Sequence, residues 1–272
     1  MKALCELLWY CFLRACSAAH DVKTLTYYTY TYDSYMEELI FLDKELTLFL
    51  NGLNNPFFDA FFYAITSKII WVPLYLALLW MIFRKQGGRG LMTVVVVALA
   101  VLIADQLTSG LMKPLFERLR PSHDDVLQYL VHTIDGYRGG LYGFASSHAA
   151  NCFAIASFFI LVVRRWSLSI ALSLWALANS YGRVYQGVHF VGDILVGALI
   201  GIIIGRIVYE VYLHLVLHFF VITHHNKWTL KSGLANSFGE LGPRVAAYTF
   251  LMTVVILCIV LNLFASYHGV AC

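Results

Sequence analysis

The sequence predicts an all-α fold: a multi-pass transmembrane helical bundle of about six spans, preceded by an amphipathic interfacial helix. Three observations carry this. The 272 residues are 60% hydrophobic and 13% charged, with a mean hydropathy of +0.71, whereas a soluble domain carries about a quarter charged residues. The apolar residues gather into runs near the roughly 20 residues that a bilayer requires. The polar clusters stand at the ends of those runs. The net charge of +3 is spread along the chain with no basic tract, which excludes nucleic acid as a partner. Cys5, Cys11, Cys16, Cys152, Cys258 and Cys272 show no CxxC spacing and suggest no metal site.

In chain order, MKALCELLWYCFLRACSAAH resembles a signal peptide whose apolar core is interrupted by Glu6 and Arg14. TLTYYTYTYDSY, which follows, is low-complexity and lacks apolar periodicity. Residues 1–35 are therefore read as an unstructured upstream leader, with the natural chain starting at Met36. From Met36 to Asn51, Leu39, Ile40, Leu42, Leu46, Phe49 and Leu50 alternate with Glu37, Glu38, Asp43, Lys44 and Glu45. That pattern predicts a helix lying on the membrane surface, ended by the turn signals of Asn51–Pro56, so that residues 36–55 form one unit.

Spans are expected at about 57–83, 90–112, 148–163, 167–186, 190–217 and 244–264. The fourth is the least hydrophobic, as befits a helix buried among others. Gly197, Gly201 and Gly205 in the fifth recur every four residues, a stripe for close helix packing. Arg206 and Glu210, one turn apart near that helix's inner end, read as a snorkelling pair. Residues 56–218 are expected to form the catalytic membrane domain, and 219–272 a cytoplasmic connection with the last span. RKQGGR after the first span, Arg164–Arg165 after the third, and Lys227 and Lys231 mark the cytoplasmic side. The segments 113–147 and 187–189 then face outward, towards the periplasm of an inner membrane.

Three polar clusters fall on that outward side. The first, KPLFERLRP, places Lys113 and Arg120 seven residues apart, on one side if the segment is helical; Arg118 is then displaced around the helix towards solvent or headgroups. The second, Ala145–His148, puts Ser146 and Ser147 at the N-terminus of the third span, where unpaired N–H groups and the positive dipole end suit phosphate. His148 at that mouth can give a proton to a leaving oxygen. The third is YGRVYQGVHFVGD, in which Arg183 precedes His189 by six residues and His189 precedes Asp193 by four. One helical turn between them lets Asp193 hold one ring nitrogen as N–H and leave the other free to attack. A His–Asp pair that merely caps a helix is the plain alternative for this stretch taken alone.

Together the clusters resemble the type 2 phosphatidic acid phosphatase superfamily, lipid phosphatases whose site is shared with vanadium haloperoxidases. Its pattern is K-x6-RP, PSGH and SR-x5-H-x3-D. This chain has Lys113-x6-Arg120-Pro121, Ala145-Ser146-Ser147-His148 and Gly182-Arg183-x5-His189-x3-Asp193. Every charged position is kept, and Ala145, Ser147 and Gly182 depart from the pattern. The resemblance spans roughly residues 57–217. It implies that His189 attacks phosphorus to form a phosphohistidine, that Asp193 orients its ring, and that His148 protonates the leaving group and then activates water. It also implies that Lys113, Arg120, Arg183 and the groups around Ser146 and Ser147 hold the phosphoryl oxygens, with no metal or cofactor.

The expected function is an integral-membrane phosphatase whose partner is a phosphorylated lipid of the bilayer: undecaprenyl diphosphate, phosphatidylglycerol phosphate or a lipid A phosphate. A lipid phosphotransferase with the same intermediate and a non-enzymatic lipid-binding or transport protein are the alternatives. Asp105, inside the second span, is expected to hydrogen-bond beneath the pocket without a catalytic role. His214, His218, His224 and His225 read as interfacial.

Overall fold

The computed structural model describes residues 22–220 and 239–267. Among them the fold is a bundle of helices with a single isolated β-bridge, Leu119 to Tyr142, and no strand. We label the helices α1 (Val22–Asn51), α2 (Pro56–Thr66), α3 (Val72–Gln86), α4 (Gly90–Asp105), α5 (Lys113–Phe116), α6 (Ser147–Val163), α7 (Trp166–Tyr185), α8 (Val191–Phe220) and α9 (Leu241–Tyr267). Residues 1–21 and the stretch with Lys227, Lys231, His224 and His225 lie outside the described residues.

Among the described residues α1 already runs from Val22, ahead of the expected start at Met36, and its amphipathic faces are the reverse of those expected for a helix resting on a membrane over solvent. Leu39, Ile40, Phe41, Leu42, Leu46 and Phe49 are exposed, whereas Thr47 and Asn51 are buried. Asp43, Lys44, Thr47 and Asn51 form a polar stripe against the bundle. Asn51 Nδ2 donates to the Tyr185 and Val184 carbonyls, and its Oδ1 accepts the His132 N–H at 2.7 Å. Lys44 pairs with Asp124 at 2.7 Å. Burial alone would raise the Asp124 carboxyl, but Lys44 and the Leu127 and Val126 N–H groups hold it below its ordinary value.

The stretch expected as one span over 57–83 is two helices. Asn55 caps α2 by accepting the Phe58 N–H at 2.9 Å, and Pro56 opens its first turn. The chain then breaks at Ser67, where the Trp71 indole donates to the Ile65 carbonyl at 2.6 Å. Pro73 restarts the helix where its missing N–H costs nothing. The expected span over 90–112 is α-helical to Asp105 and then widens into π-helical turns over Gln106–Met112.

Among the described residues, four helical stretches are long and apolar enough to cross a membrane: Ile69–Gln86, Gly90–Phe116, Val191–Val216 and Leu241–Asn262. Ser147–Val163 is apolar but shorter, and α7 carries buried Asn179 and Ser180. The apolar side chains that stay exposed on α8, Leu195, Leu199, Ile202, Ile203 and Ile207, suit contact with lipid chains. α7 packs against α2, α6 and α9, the buried placement expected of the least apolar helix. Arg206 pairs with Glu210 at 2.9 Å, as the spacing predicted.

The glycine stripe lets α8 pack at backbone contact against α6. A Cβ on Gly197, Gly201 or Gly205 would overlap the backbone of α6 at the Ser146, Ala150 and Ala154 carbonyls. Only hydrogen at these positions lets α8 lie directly on α6, which brings the start of one helix against the start of the other. Behind this seam, Trp71, Trp175, Phe158, Tyr212 and Leu213 fill the core.

Candidate active site

All eight residues singled out from the sequence come together at one end of the bundle. Asp193, with no exposed surface, lies in the first turn of α8, and His189, 3% exposed, in the short connection before it. Asp193 Oδ2 accepts from His189 Nδ1 at 3.3 Å and from the Phe190 N–H at 3.1 Å. An ionised carboxylate only accepts, so Nδ1 carries the proton and Nε2 keeps its lone pair. Arg120 Nη1 donates towards that Nε2 at 3.1 Å and to the Val188 carbonyl at 2.9 Å.

Ser146 caps α6, accepting the Ala149 N–H at 3.4 Å, and its own N–H donates to the Asp193 carbonyl at 3.0 Å. The two helix starts are thereby stitched together. Ser147 Oγ accepts from Lys113 Nζ at 3.1 Å. His148, one residue further, meets Arg183 through Nε2 and Nη2. Arg183 Nη1 donates to Gln186 Oε1 at 3.0 Å, and its Nε is buried with no hydrogen-bond partner among the described residues. That donor is available to an anionic oxygen.

Lys113 and Arg120 do not converge by helical spacing. Helix α5 ends at Phe116, and Glu117 takes a left-handed conformation with φ 45°. The chain then runs extended, held by Arg120 N–H to Leu141 O at 3.1 Å and Gly143 N–H to Arg118 O at 2.8 Å. This bridge aims Arg120 at His189. The π-helical turns before Lys113 re-aim its ammonium towards α6, with Ser109 Oγ also within 3.1 Å. No side-chain hydrogen bond links Asp105 to a neighbour among the described residues; only its carbonyl accepts, from Thr108 at 3.4 Å.

Arg118 does not meet solvent or headgroups as expected. Its Nη1 donates to Asp193 Oδ1 at 2.9 Å, its Nη2 to Asp43 Oδ2 at 2.6 Å, and its guanidinium lies 4.2 Å over the Phe190 ring. Sequence reasoning missed Asp43 as well, although the polar spacing 43, 47, 51 on an otherwise apolar helix was a signal for it. Gly143 was missed too: a Cβ there would lie 2.8 Å from Asp193 Oδ2 and 3.2 Å from Arg120 Cγ, so the loop passes directly over the His–Asp pair because it has none.

These residues are the ones by which the chain resembles known proteins. The family model described as the PAP2 superfamily matches residues 91–217. The chain is 43% identical over 166 residues to a lipid A 4'-phosphatase of Bacteroides thetaiotaomicron, covering 60% of this chain and 74% of that protein. The chain belongs to the PAP2 superfamily. A lipid A 4'-phosphatase of Porphyromonas gingivalis is 41% identical over 168 residues, covering 60% of this chain and 69% of that protein. The crystal structure of Aquifex aeolicus LpxE superposes with a TM-score of 0.50 at 31% identity, covering 61% of this chain and 93% of that one. This chain is accordingly a PAP2-type phosphatase of the membrane, acting on a lipid phosphate.

Two of the three departures from the PAP2 pattern have structural partners. A Cβ on Gly182 would lie 2.6 Å from Thr66 Cγ2 and 3.3 Å from Phe62, so α2 occupies the space a serine would need. The Ser147 hydroxyl is taken up by Lys113. Ala145 is fully buried.

His189 sits outside the membrane-spanning helices, and burial pushes its imidazole down to about 4, with Asp193 opposing the shift and Arg120 adding to it. A group with a lowered pKa stays unprotonated until the pH falls through that value, so the ring is neutral and nucleophilic across the physiological range. Histidine-selective NMR of the detergent-solubilised protein should show the His189 ring unprotonated at pH 6 and titrating nearer 4; titration close to 6.5 contradicts the burial argument.

Proposed function

We propose that this phosphatase removes a phosphate monoester from a lipid A-type glycolipid, through a phosphohistidine on His189, at the outer face of the inner membrane. The observation that carries the chemistry is the His189 ring. Nδ1–H is held by buried Asp193, and Nε2 carries a lone pair beside Arg120. The substrate class is supported by the two relatives named lipid A 4'-phosphatase.

In this reading the phosphate enters among Lys113, Arg120, Arg183 and the α6 N-terminus, whose N–H groups and dipole favour an anion. Arg120 exchanges Nε2 of His189 for a phosphoryl oxygen, which frees the lone pair. Arg183 likewise turns from His148 to the phosphate, with its buried Nε as a further donor. His148, whose Nε2 is freed when Arg183 turns to the phosphate, takes up a proton there from the entering phosphate monoanion. Nε2 of His189 then forms a bond to phosphorus as the bond to the lipid oxygen breaks, and His148 passes that proton to the departing oxygen. Asp193 offsets the positive charge that develops on the His189 ring. In the second half His148 takes a proton from water, the water oxygen bonds to phosphorus, and the N–P bond breaks to release phosphate. Fixed cations and amide donors around the phosphoryl group supply the stabilisation this transfer requires.

The outward orientation rests on counting Ser147–Val163 and Trp166–Tyr185 with the four longer helices, making six crossings. The end opposite the site carries Arg84, Lys85, Arg164, Arg165 and Arg206, the cytoplasmic signature.

Purified protein should release phosphate fastest, by kcat/KM, from a lipid A-type phosphate in a panel that includes phosphatidylglycerol phosphate and undecaprenyl diphosphate, and should do so in EDTA. A higher kcat/KM for another lipid overturns the substrate class; transfer of the phosphate to an acceptor lipid in preference to water overturns the hydrolase. For orientation, a cysteine at Tyr129, which is 82% exposed, should react with an impermeant thiol reagent in intact cells, and one at Lys85 should not, in a chain stripped of its own cysteines. The opposite labelling places the site on the cytoplasmic side.

A further inference from the structure

The family match begins at residue 91, yet α1, which precedes it, reaches the catalytic pair. The start of α8 exposes N–H groups that the helix itself cannot satisfy. Asp193 takes the Phe190 N–H, Thr47 Oγ1 takes the Val191 N–H at 3.1 Å, and Asp43 Oδ1 takes the Gly192 N–H at 2.8 Å. Two of these three acceptors come from α1. Asp43 spends its other oxygen on Arg118 Nη2, and Arg118 spends Nη1 on Asp193. Gly192 is required for this arrangement, because a Cβ there would lie 2.8 Å from Asp43 Oδ2.

We propose that Arg118 is a positioning residue for catalysis, bridging Asp43 of α1 to Asp193, so that α1 is a working part of the active site. The proposal rests on reading His189 as the nucleophile. Arg118 has two effects on the pair. Its rigid fork fixes Oδ1 of Asp193 and thereby the angle at which Oδ2 meets the His189 ring. Its charge also draws on the Asp193 carboxylate, which weakens the pull of that carboxylate on an imidazolium. Asp43 tempers the second effect by sharing the guanidinium.

The charges that act on His189 directly are Asp193 on α8, Arg120 on the bridge segment and Lys113 on α5, with His148 on α6 as a further titratable group. Arg118 and Asp43 reach the ring through Asp193, and Arg183 of α7 lies against His148. Removing Arg118 leaves Asp193 a stronger partner for the protonated ring, so protonation of His189 moves to higher pH. Removing the Asp43 charge concentrates Arg118 on Asp193 and moves it to lower pH. A merely structural tie between α1 and the bundle produces neither displacement.

The test is single-turnover phosphoenzyme formation against pH for the full-length wild type, Arg118→Ala, Arg118→Lys, Asp43→Asn and the Arg118→Ala/Asp43→Asn double variant, with one substrate throughout. Substrate ionisation is then common to all curves, and the differences between them read the ring. Arg118→Ala should lower the rate roughly 10–100-fold, by analogy with the loss of a partner that orients a metal-binding histidine, with substrate KM little changed and the acid limb shifted upward. Arg118→Lys, a point charge that cannot span both carboxylates, should fall between wild type and Arg118→Ala. Asp43→Asn keeps an acceptor for Gly192 and should shift the acid limb downward. The double variant should be no slower than Arg118→Ala, because Asp43 acts through Arg118. Wild-type rates and an unmoved acid limb in Arg118→Ala and Asp43→Asn overturn the proposal, as does a double variant whose losses simply multiply. If Arg118→Ala fails to fold, Arg118→Lys and Asp43→Asn still decide, since an unmoved acid limb in both sinks it. Retained phosphoenzyme formation in His189→Ala would instead sink the reading of the site on which the proposal stands.

Discussion

The charge on Asp193 has no exposed surface through which water could reach it, and the arrangement around it follows from that. A buried carboxylate persists as an anion only if its lone pairs are used, and removing one partner of such a pair costs about 3–5 kcal/mol. Here Oδ2 is shared by the His189 ring and the Phe190 amide, and Oδ1 is held by Arg118. Each partner is then fixed in turn. The imidazole cannot rotate without losing its N–H acceptor, the first turn of α8 cannot unwind without releasing an amide, and Arg118 carries a second obligation to Asp43. The same burial keeps the His189 ring neutral, so one desolvated site both orders the nucleophile and leaves it reactive.

Holding this charge within reach of a phosphate demands that two helix starts meet, which bulkier side chains at their seam would prevent. Gly197 and Gly201 place α8 on the α6 backbone, and the Ser146 amide closes the gap by bonding to the Asp193 carbonyl. Two of the three cations then arrive by irregular backbone, Lys113 after a widened helical turn and Arg120 from an extended bridge after a left-handed residue, while Arg183 comes from the last turn of α7. Regular helices supply the rigid seam and irregular segments supply the aim. The loop over the pair passes close because Gly143 has no side chain.

Much of this was legible in the sequence. The Ser146 cap, the glycine stripe, the Arg206–Glu210 pair and the one-turn step from His189 to Asp193 depend on local chemistry and short spacings, and each is where those spacings put it. Three features were not legible, for physical reasons. Pro73 ends no run of hydrophobicity, so the break at Ser67–Trp71 is invisible to a hydropathy reading although it divides a span. The convergence of Lys113 and Arg120 was expected from helical periodicity, but Glu117 stops the helix and the β-bridge does the work. The third is the sense of α1. Asp43 and Lys44 on an amphipathic helix read as a solvated face, because the sequence does not disclose that their partners, Arg118 and Asp124, lie some 75 and 80 residues onward. With those partners in place, the polar stripe turns inward and the apolar face outward.

The account's central claim is that His189, oriented by buried Asp193, carries the phosphoryl group between lipid and water. Rapid-quench trapping with a substrate labelled in its phosphate, followed by peptide mapping under alkaline conditions that preserve a phosphohistidine, tests it directly. The account predicts an acid-labile, alkali-stable phosphate on the peptide containing His189, absent from His189→Ala and accumulating in His148→Ala, where water is no longer activated. Label on Ser146 or Ser147, or turnover by His189→Ala at the wild-type rate, would contradict it.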